Sequence, residues 1–369
     1  MSDAPPRVER LAGGLEELGV DALLVQSLVD VRYLTGFTGS SGLALVLGPR
    51  LAAELGEHRF YTDFRYTTQS AREVPEAFAR EIVTGDLTEA LAATLAERTG
   101  RLGFDEASVT VKAHGRLGEL LGEGWELVGR AGAVQRLRAV KEAGEVARIR
   151  AACELADEAL RGVLEAGLVG RSERDVAIEL ELRMRRLGAE AASFPSIVAA
   201  GAHGALPHAQ PRDEQIPRDV LVTIDWGALH EGYCSDCTRT YATGEGISAL
   251  AREVYEIVLG AQEQSLAAVA AGLSGREVDA VARQAIEQAG HGEHFGHGLG
   301  HGVGLEIHEA PRLSRTASEE PLLVGNVVTV EPGVYLPGEL GVRIEDLVVV
   351  GELGPDVLTS LPKALTTVT

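Results

Sequence analysis

The stretch HFGHGLGHGVGLEIHE, residues 294–309, decides how the rest of the chain is read. Five glycines between positions 296 and 304 disfavour a helix, although His297 and His301 stand four apart. Taken as extended chain, His297, Leu299, His301, Val303, Leu305 and Ile307 alternate with glycines until Glu306 and His308. Glycines at such spacing let a backbone approach a ligand or a partner strand closely. Four histidines (His294, His297, His301 and His308) crowd into this short, glycine-rich run, which points to function rather than core filling. His294 falls outside the alternation and is left out of the site.

Working outward, two strands follow. VVTVEPGVYL (327–336) puts Glu331 at the end of a β run, before a Pro-Gly turn. GVRIEDLVVV (341–350) puts Arg343 and Glu345 on one face of a strand. An acid within an apolar strand is costly unless it is paired or binds a metal. Upstream, LVTIDWGALHEGYCSDCTRTYAT (221–243) reads as a hairpin. With the turn centred between His230 and Glu231, Asp225 and Asp236 become cross-strand neighbours, about 5 Å apart at Cβ. Two buried acids that close call for a cation between them, unless a shifted register separates them or the face is wet. Cys234 and Cys237 form a C-x-x-C around Asp236, but no second such pair exists and the context is a strand, so they are read as ordinary small residues.

Four carboxylates and one imidazole, all on β segments, make a site suited to a pair of Mn, Co or Zn ions. Four negative charges balance two divalent ions, and a water between such ions ionises near neutral pH.

The length of 369 residues suggests two domains. Short strands at 21–27, 42–48, 59–65 and 101–106, with helices near 67–80 and 86–99, make residues 1–130 a mixed α/β domain. Periodicity is lost over 129–145, where the connection is placed. Residues 131–369 carry an internal echo: Ser172-Glu173-Arg174-Asp175-Val176 and Ser274-Gly275-Arg276-Glu277-Val278 each follow a long alanine-rich helix and open another with a capping-box pattern. β-rich segments follow both times. The fold class is therefore α/β (α+β), its second domain built from two pseudo-symmetric ααββ halves with a cleft between them. A net charge of −21 argues against binding nucleic acid or anionic membranes. Three cysteines make no disulfide framework, and neither a signal-peptide core nor a run of 18 uncharged apolar residues occurs, so a cytoplasmic, membrane-free protein is expected.

HGLGHGVGLEIHE resembles the motif of prolidases and aminopeptidases P, the Xaa-Pro branch of the pita-bread metallopeptidases. FPSIVAAG, ALPHAQP, TIDWGALHEGYCSDCTRT, TVEPGVY and GVRIED follow the family's order, and YLTGFTGSSG and YTDFRY resemble its creatinase-like N-terminal domain. The resemblance implies that Asp225 holds one ion, Asp236 and Glu345 bridge two, and His301 and Glu331 complete the second. It makes Glu331 the proton shuttle to the leaving proline nitrogen. His297 and His308 would bind substrate and stabilise the tetrahedral intermediate, His208 would touch substrate from the facing half, and Arg343 would hold the bridging acids. The expected activity is cleavage of Xaa-Pro bonds at the N-terminus of short peptides by a homodimer, with a lean to Xaa-Pro dipeptidase. The alternatives are an aminopeptidase P acting on longer peptides, a methionine aminopeptidase, or a non-catalytic binding protein of the same fold. Arg32, Arg59 and Arg65 are candidate cations for a dipeptide's carboxylate.

Overall fold

Apolar runs too short for helices become the strands of two units, Met1–Arg138 and Ala139–Thr369; the computed structural model describes residues 6–369. In the first unit, strands β1 (Ala22–Val25), β2 (Leu43–Leu47), β3 (His58–Asp63), β4 (Phe78–Val83), β5 (Gly100–Phe104) and β6 (Trp125–Gly129) form one mixed sheet in the order β4-β3-β2-β1-β5-β6. Helices α1 (Arg7–Gly13), α2 (Leu28–Thr35), α3 (Pro49–Leu55), α4 (Thr67–Glu73), α5 (Leu87–Leu95), α6 (Val111–Leu121) and α7 (Ala133–Ala139) accompany it. Leu24, Leu45, Tyr61 and Leu102 of the sheet share a core with Leu91, Leu95 and Leu117.

The helix read at 67–80 is shorter than its pattern. Pro75 drives Val74 into extended backbone (ψ 124°), α4 stops, and β4 follows. Part of the aperiodic stretch 129–145 is helical, as α7. Two of the candidate cations are already committed: Arg59 donates to Leu55 O at 2.8 Å, and Arg65 grips Asp63 through two bonds of 2.8 Å.

The second unit pairs helices with antiparallel sheets twice. Its first half holds α8 (Ala143–Glu165), α9 (Glu173–Leu187), β7 (Ala191–Ala192), β8 (Ile197–Ala200), β9 (Leu221–Trp226), β10 (Ala228–His230), β11 (Tyr233–Cys234) and β12 (Cys237–Ala242). The other half holds α10 (Ala249–Ala268), α11 (Gly275–Gln288), β13 (Gly300–Gly302), β14 (Glu309–Leu313), β15 (Val327–Val330), β16 (Gly333–Leu336), β17 (Leu340–Arg343), β18 (Asp346–Gly351) and β19 (Gly354–Val357). Val222, Ile224 and Trp226 pack on Ala156, Leu160, Val176 and Leu180 of α8 and α9. Val328, Val330, Val348 and Val350 pack on Val254, Val258, Val278 and Ile286 of α10 and α11. Both second helices start at a serine cap. Ser274 and Glu277 close a full capping box, whereas Ser172 only accepts Asp175 N at 3.0 Å. Asp175 is one methylene shorter than Glu277, and no return bond forms there.

Candidate metal centre

Strand parity aims the first two acids. Ile224 and Trp226 of β9 and Cys237 and Tyr241 of β12 point at the helices. Thr223 and Asp225, like Thr238 and Thr240, must therefore face the other side. The observed register is Thr238↔Asp225, with His230↔Tyr233 beside the turn, two positions away from the pairing expected from sequence. The turn is centred on Glu231 and Gly232, both at positive φ (47° and 80°). Asp225 thus lies opposite Thr238 rather than Asp236. A shift of two preserves the face, so Asp236 still lies diagonal to Asp225 on the same side.

The second half brings the other acids. Glu345 is not inside a strand with Arg343: β17 ends at Arg343 and β18 begins at Asp346. Glu345 spans the junction, where its N–H bonds Thr238 O at 3.0 Å. Behind it the buried Arg239 donates to Glu345 O, and at 2.8 Å to Asp346 Oδ1. One carboxylate oxygen from each of Asp225, Asp236 and Glu345 lies within 4.8 Å of the other two. Glu331 follows β15 and precedes β16, which belongs to another sheet, so the Pro-Gly step is a change of sheet rather than a turn. Its N–H bonds Leu299 O at 2.8 Å, and its Oε1 takes Thr329 Oγ1–H at 3.0 Å. The extended reading of 297–308 holds only over β13; beyond Gly302 the chain bends back to Glu309 of β14. His301 Nδ1 faces Gly302 O at 3.1 Å and so carries the proton. Nε2 then points its lone pair at Glu331 Oε1 (3.3 Å) and Asp236 Oδ2 (3.6 Å).

Three acceptors aimed at one another are unfavourable without a proton or cation between them. Burial lifts the carboxyls of Asp236 and Glu345 well above the ordinary range, and neighbouring carboxylates add to the rise. Burial also raises Glu331 and lowers His301. Asp225 Oδ1 and Glu345 Oε1 are buried with no hydrogen-bond partner among the described residues. Orphaned carboxylate lone pairs beside an imidazole fit divalent ions that accept oxygen and nitrogen ligands together.

Arg343 ties the acids to an outer ring. It donates to Asp225 Oδ2 (2.6 Å), Thr238 Oγ1 (3.0 Å), Tyr335 Oη (2.9 Å) and Pro207 O (3.2 Å). Thr238 in turn donates its hydroxyl hydrogen bond to Glu345 Oε2 at 2.7 Å. Tyr335, which sequence reasoning missed, also lies 2.9 Å from His297 Nε2, while His297 Nδ1 faces Gly298 O at 2.7 Å. Since Gly298 O only accepts, Nδ1 bears hydrogen, Nε2 accepts from Tyr335, and the hydroxyl in turn accepts from Arg343. Both nitrogens of His297 are thus engaged within the protein. His308 is exposed, and its ring stacks edge-on against His301 at 4.3 Å. His208 is exposed on the loop after a 3-10 turn (Gly201–Ala205), and Arg343 holds that loop at Pro207. Thr238 and Thr329 show no sequence signal beyond standing two residues from Asp236 and Glu331, and Tyr335 shows none.

A family model described as metallopeptidase family M24 matches residues 147–352, and one described as the creatinase/prolidase N-terminal domain matches residues 7–140. The chain belongs to metallopeptidase family M24. This M24 peptidase is 42% identical to an uncharacterized peptidase of Bacillus subtilis (97% of this chain, 99% of the relative) and 35% identical to the Xaa-Pro dipeptidase of Pyrococcus furiosus (97% and 99%). Its fold matches a solved Xaa-Pro dipeptidase from Bacillus anthracis (TM-score 0.92, 38% identity, 98% and 99% covered). It also matches an X-Pro aminopeptidase from Thermotoga maritima (TM-score 0.87, 36% identity, 98% and 100% covered). The fold is the pita-bread metallopeptidase fold, and its chemistry is metal-dependent hydrolysis.

Membership makes the raised carboxyls testable. Folded carboxyls that hold protons more tightly than unfolded ones stabilise the metal-free M24 peptidase below about pH 4, and that contribution is lost as pH rises through the folded values. Divalent ions replace those protons. The melting temperature of the chelator-treated protein should therefore fall from about pH 5 to pH 8, and the gap to the metal-loaded form should widen, reaching about 2.7 kcal/mol at pH 8 when metal is a hundredfold above the Kd at that pH. Thermal scans at both pH values check this. A gap independent of pH would mean that these acids are already ionised.

Proposed function

We propose that the chain is a dinuclear-metal Xaa-Pro peptidase that releases the N-terminal residue of short peptides, with a preference for Xaa-Pro dipeptides. The observation that carries this reading is the convergence of Asp225, Asp236 and Glu345 within 4.8 Å, with the His301 lone pair aimed at Asp236 and Glu331. In this reading Asp225, Asp236, Glu345, His301 and Glu331 would together hold the ions, with Asp236 and Glu345 as the carboxylates that both ions would share. Manganese, cobalt and zinc all suit the donor set. When bound, the ions supply Lewis-acid polarisation of the scissile carbonyl and a water acidic enough to ionise at neutral pH.

The protein's own groups do the rest. Glu331, raised by burial, takes the proton from the nucleophile and returns it to the proline nitrogen as the bond breaks. His308 and His208, both exposed, offer ring N–H groups to the substrate. His297 acts through Tyr335 and Arg343, its nitrogens being spoken for. Arg343 keeps Asp225 oriented and, through Thr238, Glu345 as well. Proline fits a site that reads the ring and the carbonyl, because the Xaa-Pro bond has no N–H to recognise. The buried cysteines Cys153, Cys234 and Cys237, none of them in a disulfide, support a reducing, cytoplasmic setting.

The dipeptidase preference is supported by the relatives and structures named Xaa-Pro dipeptidase; the Thermotoga neighbour keeps the aminopeptidase as the second reading. Steady-state turnover of Ala-Pro against Ala-Pro-Ala, with Mn, Co or Zn supplied in turn, tests both. We expect kcat/KM for the dipeptide to exceed that for the tripeptide at least tenfold. A tripeptide preference would assign the chain to the aminopeptidases, and no turnover of either would end the Xaa-Pro reading.

A further inference from the structure

The segment from Phe295 to Leu299 carries His297 between two glycines, Gly296 and Gly298, so its own torsions do little to fix where the imidazole points. What fixes it comes from α11. Arg283 binds Asp279, one turn earlier, through two bonds of 2.8 and 2.7 Å. The same guanidinium donates to Phe295 O at 3.0 Å and to His297 O at 2.9 Å, with its Cζ 4.3 Å from the centre of the Phe295 ring. Asp279 Oδ1 also accepts Leu299 N–H at 3.0 Å. Alternate residues 295, 297 and 299 are thus held by one ion pair, whose acid is 1% exposed. An i,i+4 pair that only decorated a helix would turn its donors to water. This one spends its remaining donors on two carbonyls of a glycine-rich loop beside the candidate metal centre.

We propose that Asp279 and Arg283 are positioning residues for His297, holding its main chain so that Nδ1–H meets Gly298 O and Nε2 receives Tyr335. The kinetic part of this proposal rests on the Xaa-Pro reading above; the geometric part does not. Misplacing a group by about 1 Å commonly costs on the order of a hundredfold in rate.

The test uses the full-length, metal-loaded protein with Arg283→Met, Arg283→Lys and Asp279→Asn, each also combined with His297→Ala. Single variants should retain wild-type metal content and a KM within about threefold, and Arg283→Met should lose about 10- to 100-fold in kcat on Ala-Pro. Arg283→Lys should fall between, because an ammonium pairs with Asp279 but lacks the fork that reaches both carbonyls. In the His297→Ala background Arg283→Met should cost less than about twofold more, since residues acting through one group are not additive. Ring 15N shifts, assigned by comparison with His297→Ala, should report the Nδ1–H tautomer in the wild type and its loss in Arg283→Met. Full multiplicative losses in the double variant, loss of metal from a single variant, or an unchanged His297 ring spectrum would each overturn the proposal. If Arg283→Met does not fold, Arg283→Lys carries the same cycle and spectrum. A wild type inactive on Ala-Pro would remove the substrate reading alone, and the ring spectrum would still decide the role of the pair.

Discussion

Glu331→Gln is expected to lower kcat on Ala-Pro by about 10³-fold or more, with the fold intact. General acid–base groups contribute roughly 10²–10⁴-fold, and this residue is also a proposed ligand, so its loss should reach the upper end. The substitution is nearly isosteric. Its amide oxygen can still accept from Thr329 Oγ1, which lies 3.0 Å from Glu331 Oε1, and the main-chain bond to Leu299 O does not involve the side chain. What disappears is a carboxyl, raised by burial, that can take up and give back a proton. Steady-state kinetics, metal content and circular dichroism on the same preparation check the outcome. Activity within about tenfold of the wild type would remove Glu331 from both roles.

Asp236→Asn should abolish turnover by a different route, with opposite effects on activity and on stability. Asp236 is 5% exposed and feels the carboxylates of Glu345, Asp225 and Glu331. As a proposed bridge it is needed by both ions, so its amide should lose bound metal and, with it, activity to background. The same change removes one buried like charge from a cluster that the chain alone cannot neutralise. At about pH 8 the metal-free variant should therefore melt a few degrees above the metal-free wild type, and it should gain little on adding metal. Paired thermal scans with and without Mn decide. A variant that binds metal as the wild type does would exclude Asp236 from the bridge. This is the familiar opposition between a working site and an optimally stable one.

How much of this was legible beforehand depends on which physical rule governs each residue. Parity along β9 is strict, and the inward aim of Asp225 follows from LVTIDW alone, whereas Asp236 precedes β12 and keeps the same face through the register that continues on both sides of it. The turn between those strands lies one residue later than the polar His230-Glu231 pair suggests, because Glu231 occupies a left-handed position that glutamate seldom takes. That difference shifts the register by two and leaves the facing untouched. The run 297–308 fared worse. Glycine permits extension and bending alike, and the bend after Gly302 depends on pairing with Glu309 and Val328 from later in the chain. Tyr335 was invisible for a similar reason. Only the pairing of β16 with β17, which sets Tyr335 across from Gly341, puts its hydroxyl near Arg343 and His297. In the first unit, Pro75 is a visible breaker, yet the strand that follows it needed β3 as a neighbour to form.

The contact between Gly204 and Gly341 has a consequence for how such a protein can diversify. A Cβ on Gly341 would stand 1.8 Å from Gly204 O, so here main chain lies directly on main chain. Any larger residue would lift the loop and carry Pro207 O and His208 away from Arg343. The depth of this wall is accordingly closed to mutation. Leu206 and Gln210, exposed on either side of His208, are open to it. New preferences for the peptide's flanking residues would then arise by repainting the loop and never by resizing it.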